Sequence, residues 1–407
     1  MTSALPAERR TRPSNRRELI LAAATELFAD CGYEFVSMSE IAEAVAVRPS
    51  ALYRHFSGKE QLLDEILRQG VADLESVVTA LDLGAGPDAL LELAEFAVDN
   101  RHVAALTGRE LPHLSAGSRP VVVSAVSEVA EVLAGKIASA RPQLRPHAAD
   151  LLARAALAVL QSPAFHHAEL PRTDYCAEVA QLARRVIASH LPAKFTGDQL
   201  PQSRGGLTPY SRREALLAQA VTLFAERTYA SVSIEDVAAS LGIAGASVYN
   251  HFRSKSDILV IALARGSASL SMQVADTLAS AERPEAALGT LISSYARFAA
   301  AHPALIDLLI SETRSLPESD REAVLAAQRD YVAELVHLLR QVQPTLSSPY
   351  GRVQIQAALT IANVVARTPH LRDRAGSTEA VAALCGQMLA LPSAVARHAG
   401  REPATGC

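Results

Sequence analysis

The feature that most limits the fold of this chain is an internal repeat. Residues 16–63 align without a gap with residues 212–259, an offset of 196, and 18 of these 48 positions are identical. Both copies hold a Leu-Phe-Ala, a Tyr-x-His-Phe and a lysine in the same register, whereas unrelated amphipathic helices would share only their apolar period. The match therefore indicates a duplicated unit within the 407 residues.

Each copy of the repeat predicts three short helices and the start of a longer fourth one. Apolar residues recur at the helical period in the first helix of both copies, as at Ile20 and Ala24. A turn is predicted at residues 46–48, after which Pro49 suits the first position of the third helix. Serine-to-carboxylate spacings predict capping boxes at Ser37–Glu40, Ser57–Glu60, Ser233–Asp236 and Ser254–Asp257.

The composition excludes several classes of protein. With 49% hydrophobic and 20% charged residues the chain is globular, and no stretch has the 18 or more uninterrupted apolar residues of a membrane span. Four scattered cysteines form no CxxC pair, so we expect no disulfide framework, no metal site and a reducing, cytoplasmic compartment. The chain has no Gly-rich phosphate loop and no nucleophile elbow, so we expect no enzyme activity and no cofactor.

Two short helices joined by a tight turn, with a polar face on the second, predict a helix-turn-helix in each copy. Tyr53, Arg54, His55 and Lys59 would be an unusual set for a packing face but suit contacts with phosphates. The net charge is −4, and residues 1–70 and 203–266 together carry 16 cations and 15 acids. Affinity for nucleic acid must therefore come from the local placement of cations, and two of the four lysines, Lys59 and Lys255, hold the same place in both copies.

On these motifs each copy resembles the N-terminal DNA-binding domain of the TetR/AcrR family of bacterial repressors. The resemblance rests on Leu27-Phe28-Ala29, Tyr53-x-His55-Phe56 and Lys59, and on the same pattern 196 residues later. It implies phosphate contacts from Ser37, Tyr53, His55, Lys59, Ser233, Tyr249, His251 and Lys255. It implies that Arg48, Pro49, Ser50, Ala51, Arg54, Gly245, Ala246, Ser247 and Asn250 lie at or beside the bases. The second copy departs from the family pattern at Thr228 and Ala244.

The regions that follow the two copies are rich in alanine and leucine, have a helical period and contain no alternating strand pattern, so the fold class is all-α. In the family such a region binds a ligand and makes dimers through its last two long helices, which here would be 147–162 with 173–190 and 349–367 with 378–391. One chain could therefore fold as its own pseudo-dimer. We expect an arm at 1–15, helix-turn-helix domains at 16–66 and 212–262, helical bodies at 67–192 and 263–395, a linker at 193–211 and a tail at 396–407.

The expected function is a ligand-responsive transcriptional regulator, with repression favoured, that reads two unequal operator half-sites and is released by a small hydrophobic effector such as a lipid or an acyl-CoA. The alternative is that only the first helix-turn-helix binds double-stranded DNA and the second unit serves dimerisation. Arginines before each first helix can enter the minor groove or remain solvated. The polar and aromatic candidates for a ligand contact, for which helix ends or solvated faces are the competing interpretation, are Phe96, Arg109, Glu110, His113, Phe298, Glu312 and Asn363.

Overall fold

The computed structural model describes residues 16–86, 88–200 and 209–392. The predicted arm at 1–15, the predicted tail and Arg204 lie outside these residues. Within them the chain is helical and forms no strand, apart from one isolated bridge between Gln199 and Arg374. The all-α prediction is confirmed.

The first unit, residues 16–192, contains nine α-helices in its described part. They are α1 (Arg16–Cys31), α2 (Met38–Ala44), α3 (Pro49–Leu52), α4 (Lys59–Ala80), α5 (Leu91–Asp99), α6 (Arg101–Arg109), α7 (Ser118–Ala140), α8 (Pro146–Gln161) and α9 (Arg172–Ala188).

The second unit, residues 212–392, repeats this order. Its helices are α10 (Arg212–Arg227), α11 (Ile234–Ala239), α12 (Lys255–Ser280), α13 (Pro284–Ala301), α14 (Pro303–Ser311), α15 (Glu318–Val342), α16 (Ser348–Ala366), α17 (Pro369–Arg372) and α18 (Ser377–Met388). Where the first unit has α3, the second has a tighter 3-10 helix at Gly245–Asn250. The predicted third helix of the second copy is therefore present as a 3-10 helix, and a glycine stands where Pro49 opens α3.

Two of the four predicted capping boxes form, and a third forms in part. Ser37 and Ser233 form the predicted capping boxes, and Ser254 accepts a hydrogen bond from the amide of Asp257. The predicted box at Ser57–Glu60 does not form, because α4 begins one residue later, at Lys59, with Gly58 as its cap.

The two units share one hydrophobic core. Helices α8 and α16 pack against each other, with α9 and α18 completing a four-helix arrangement between the units. Both α8 and α16 are buried on almost every face and are rich in alanine, which lets the helices approach closely. The predicted pairs of long helices are present within a few residues of their expected bounds, and the chain packs as an intrachain pseudo-dimer. A separate, smaller core lies in the second helix-turn-helix domain.

The described part of the predicted linker is packed rather than free. Phe195 is buried, the amide of Thr196 donates to Ala375 O at 3.3 Å, and the amide of Leu200 donates to Asp373 O at 2.7 Å. Residues 195–200 therefore attach to the loop between α17 and α18 of the second unit, which corrects the expectation of a spacer over the whole of 193–211.

One described helix, α12, is long and apolar enough to cross a membrane, with a mean hydropathy of 1.5 over its most apolar window. It packs against α10, α13, α14 and α15, as the core helix of a folded domain does. Its composition is therefore weak evidence for a membrane span.

Candidate nucleic-acid interface and cavity

The first helix-turn-helix is set by local sequence. Ser37 Oγ accepts from the Glu40 amide at 3.2 Å, and Glu40 accepts from the Ser37 amide at 2.7 Å, which fixes the start of α2. Ala46 makes the turn with a φ of 51°, in the left-handed region. Arg48 then occupies the N-cap position of α3 without a side-chain hydrogen bond, and Pro49 is the first residue of the helix as predicted.

One side of α3 is buried and the other faces solvent. Leu52 and Phe56 lie in the core, whereas Tyr53 is 55% exposed although its ring is large and apolar. The exposed face also carries most of the residues that the resemblance implies for DNA contact, with Ala51 half-buried. In this copy the exposed residues are Ser37, Arg48, Pro49, Ser50, Tyr53, Arg54 and His55.

The second copy repeats this division between a buried and an exposed side. Val248 and Phe252 are buried, and Tyr249 is 57% exposed. Gly242, the counterpart of Ala46, makes the turn with a φ of 65°. Ala246 and Asn250 are exposed, whereas Ser233, Gly245, Ser247 and His251 are half-buried. Most of the predicted residues thus reach the surface, on a differently shaped third element.

The two matched lysines have partners inside their own domains. Lys59 Nζ donates to Tyr33 O at 2.7 Å and lies 4.4 Å from the centre of the Tyr33 ring. Lys255 Nζ donates to Tyr229 O at 2.6 Å and Val232 O at 2.9 Å, and lies 4.2 Å from the Tyr229 ring. Burial lowers the pKa of both ammonium groups. In each domain the lysine therefore stabilises the loop that follows the first helix. Contact of these lysines with phosphate remains a prediction.

Glu110 and Glu312, which were predicted as ligand contacts, extend from the helical bodies and accept hydrogen bonds from the same two loops. Glu312 Oε1 accepts from the Tyr229 amide at 3.1 Å, and Glu110 accepts from the Tyr33 amide in the same way. Burial raises the pKa of Glu110 to about 7. His113 lies 3.3 Å from Glu110, so it also belongs to this contact. Each unit therefore joins its body to its helix-turn-helix domain through a buried carboxylate, which the sequence did not reveal as such.

Helices α6 and α14 lie between the two helix-turn-helix domains. Helix α6 packs on α1, α14 packs on α10, and α6 and α14 pack on each other. Several arginines donate across the units; near these helices Arg314 donates to Ala29 O at 2.7 Å, and Arg119 donates to Glu226 O at 3.3 Å. A displacement of either helix would therefore reach both domains.

The second unit contains a cavity of about 610 Å³. Helices α12 to α16 form most of its wall, and residues 161–167 of the first unit form part of its rim. Of the predicted ligand contacts, Phe298, Asn363 and Arg109 line it. Phe96, Glu110, His113 and Glu312 do not. Asn363 Oδ1 accepts from the Tyr295 hydroxyl at 2.9 Å, and burial raises the pKa of Tyr295 to about 12.

A smaller cavity of about 280 Å³ lies beside it, between Asp30 of α1, Arg109 and Arg314. The pair His166-His167 lines both cavities. In the described part of the chain these histidines belong to no group of three or more residues that could hold a metal ion.

Two solvent-facing helix-turn-helix domains on one helical body define the class of this chain: a protein built to present two recognition elements at once. The family described as "Bacterial regulatory proteins, tetR family" matches residues 20–66 and again residues 216–260. Both helix-turn-helix domains therefore match the TetR family, as two tandem units in one polypeptide, and the resemblance found in the sequence is confirmed.

Individual relatives match parts of the chain. It is 37% identical over 120 residues to the HTH-type transcriptional repressor KstR2 of Rhodococcus jostii. The aligned segment covers 28% of this chain and 59% of that protein. It is 36% identical over 58 residues to KstR2 of Mycolicibacterium smegmatis, 14% of this chain and 28% of that protein. The chain thus spans less than two thirds of these relatives.

Among solved structures, a TetR-family transcriptional regulator from Bordetella parapertussis matches with a TM-score of 0.42 and 22% identity. That match covers 46% of this chain and all of the other.

Proposed function

We propose that this protein is a ligand-responsive transcriptional repressor that reads two unequal operator half-sites with its two helix-turn-helix domains. The observation that carries the proposal is that one chain presents two exposed recognition faces of different composition on helical bodies that share a core. The first presents Pro49, Ser50 and Arg54, and the second presents Gly245, Ala246 and Asn250 at the same places. The curated KstR2 relatives, named as repressors, support the sense of regulation.

The surfaces have the chemistry that double-stranded DNA requires. Side chains such as those of Tyr53 and His55 suit contacts with phosphates, which fix register without reading sequence. The third element and the residues at its end face the base edges, where arginine prefers guanine and asparagine prefers adenine. Arg54 and Asn250 hold the same repeat position, so the two half-sites should differ there.

The cavity supplies a route from effector to DNA. It is lined by Ile306 of α14 and Arg109 of α6, and these two helices lie between the helix-turn-helix domains. A small apolar effector that displaces α14 would change the separation of the two recognition faces and lower affinity for an operator of fixed spacing. We place this action in the cytoplasm.

Selection of binding sites from a random pool of duplexes, using the full chain, tests the proposal. We expect two unequal half-sites, with Arg54→Ala relaxing preference in one half and Asn250→Ala in the other. A perfect palindrome bound equally by both domains would contradict it.

The 3-10 geometry of Gly245–Asn250 favours the second candidate, in which only the first domain binds DNA. In that case Asn250→Ala leaves the selected sequence unchanged while Arg54→Ala alters it.

A further inference from the structure

The cavity of the second unit has an unbalanced set of charges. Six arginines line it and no aspartate or glutamate does; the six are Arg109, Arg314, Arg321, Arg329, Arg352 and Arg367. Arg367 is paired with Asp307, but none of the other five forms an ion pair with a described acidic residue. Guanidinium groups in a partly desolvated site attract anions strongly, because their field is little screened there.

The rest of the wall is apolar. Leu263, Leu270, Ile306 and Leu359 face the same space, together with the ring of Phe298. A volume of about 610 Å³ lies within the range of sites for small molecules. An apolar wall beside five arginines that form no ion pair with a described acidic residue fits a ligand with two ends of different chemistry.

The first unit contributes polar groups to this site. His166 Nδ1 is buried and has no hydrogen-bond partner, while His166 Nε2 lies 3.3 Å from the Tyr175 hydroxyl. Burial and the neighbouring Arg352 lower the pKa of His166 to about 4, so the ring is neutral at pH 7. Arg109 lies 5.4 Å from the centre of the Phe165 ring. A buried polar atom without a partner is costly, and a ligand atom would satisfy it.

The first unit does not carry the same charges. The bodies of the two units align at an offset of 202, as α6 with α14 and α8 with α16 show. At this offset the arginines at 314, 329, 352 and 367 correspond to Pro112, Ser127, Asp150 and Phe165. Asp150 is engaged by Arg154 at 2.8 Å and by His370 at 2.9 Å. Four of the five arginines that the second unit contributes to the cavity therefore have no basic counterpart in the first unit, Arg321 with Arg119 being the exception.

We propose that this cavity binds a single amphipathic anion per chain, with an apolar chain against α12 to α14 and a phosphate or carboxylate head on the arginines of both units. The claim that this ligand is the effector rests on the proposed function. The claim that the cavity binds the ligand does not, because binding can occur without DNA. Because Arg109 and His166 come from the first unit, the ligand bridges the two units and its head lies near the contact between α6 and α14.

Isothermal titration calorimetry on the full chain without DNA tests the site, with decyl phosphate, 1-decanol and inorganic phosphate as probes. We expect decyl phosphate to bind with a stoichiometry of one and about tenfold or more tighter than 1-decanol, and inorganic phosphate alone to show no saturable binding. Equal affinity for the phosphate and the alcohol, two molecules per chain, or no saturable binding of decyl phosphate would each overturn the proposal.

Matched variants separate a local effect from misfolding. Arg352→Gln should weaken decyl phosphate about tenfold, and the exposed Arg329→Gln, which leaves the core intact, should weaken it by a smaller factor. Arg340→Gln, on α15 but outside the cavity lining, should leave affinity unchanged. Equal losses in all three variants would overturn the assignment. If decyl phosphate binds as expected but does not release operator DNA, the site stands and the effector role fails.

Discussion

At the residue scale, the two copies of the repeat place different residues at the turn that follows their first helix. The first helix of each copy ends in a left-handed residue, Gly32 with a φ of 92° and Thr228 with a φ of 74°. Glycine adopts this conformation without cost, whereas a β-branched residue is strained there by roughly 1–3 kcal/mol. The departure that the sequence showed at Thr228 is therefore a site of stored strain.

Thr228→Gly should stabilise the protein by about 1 kcal/mol, since the release of strain exceeds the loss of the weak contacts between Thr228 and Ser231. Urea unfolding of the full chain measures the change. The reverse substitution, Gly32→Thr, should destabilise, because its Cβ would also lie 3.3 Å from Phe35. A destabilised Thr228→Gly variant would contradict the account of this turn.

The matched lysines allow a second test at this scale. Lys255→Met should lower the free energy of unfolding by about 1.5–3 kcal/mol, because it leaves two carbonyl oxygens without their charged donor. Lys194→Met, at an exposed lysine, is the control and should change stability little. If Lys255→Met weakens DNA binding with no change in stability, the lysine acts on phosphate instead.

Glu110 predicts a dependence of stability on pH. Its pKa is raised by burial to about 7 from 4.5, so between these values the folded protein holds a proton that the unfolded chain releases. The free energy of unfolding therefore falls as pH rises through this window. Glu110→Gln should flatten the fall. An unchanged pH profile in denaturant titrations of the variant would contradict this.

At the scale of elements, helix bounds were predictable because their signals are local. Arg48 and Pro49 mark the start of α3, and α8 was expected at 147–162 and runs from Pro146 to Gln161. The contacts that join elements were not predictable. Lys59 meets a carbonyl 26 residues away, and Arg352 faces a cavity only because of how α16 packs. Comparing the two units at an offset of 202 would have shown the exchange of Asp150 for Arg352.

Two glycines lie where a long helix crosses its neighbour closely: Gly70 where α4 crosses α6, and Gly266 where α12 crosses α14. A Cβ on Gly70 would overlap Val103 Cγ1, and one on Gly266 would lie 2.9 Å from Leu305 Cδ2. Gly70→Ala should cost about 1–3 kcal/mol in unfolding experiments, and Gly266→Ala less, because the leucine side chain can move while the β-branched valine cannot.

The control for this pair is Gly135→Ala within α7, where a Cβ meets no atom within 4 Å. It should stabilise the protein by up to about 1 kcal/mol through helix propensity. Equal effects at Gly70 and Gly135 would contradict a close crossing of α4 and α6.

At the scale of the whole molecule, two family-length units share a core that in separate chains would be a dimer interface. Fusion frees each half to diverge, because a substitution in one half is no longer repeated in the other. The recognition faces differ at Arg54 and Asn250, and five of the six cavity arginines lie in the second unit. Sequence alone located both units, and the family resemblance predicted the helices through which they pack on each other, but the contact between α6 and α14 needed the structure.

The shared core predicts the behaviour of a cut chain. With a protease site inserted between residues 203 and 206, the two halves should remain together on a sizing column after cleavage, since α8, α9, α16 and α18 hold them. Leu152→Asp, which buries a charge in α8, is the control that should separate them or prevent folding. Halves that part without denaturant would contradict a common core.

The most direct test of the central claim is the mass of the complex between the full chain and its selected operator, measured by native mass spectrometry. One chain of 43.2 kDa per duplex, with protection of both half-sites in a footprint, is the result we predict. Two chains per duplex, each protecting one half-site through its first helix-turn-helix domain, would contradict it.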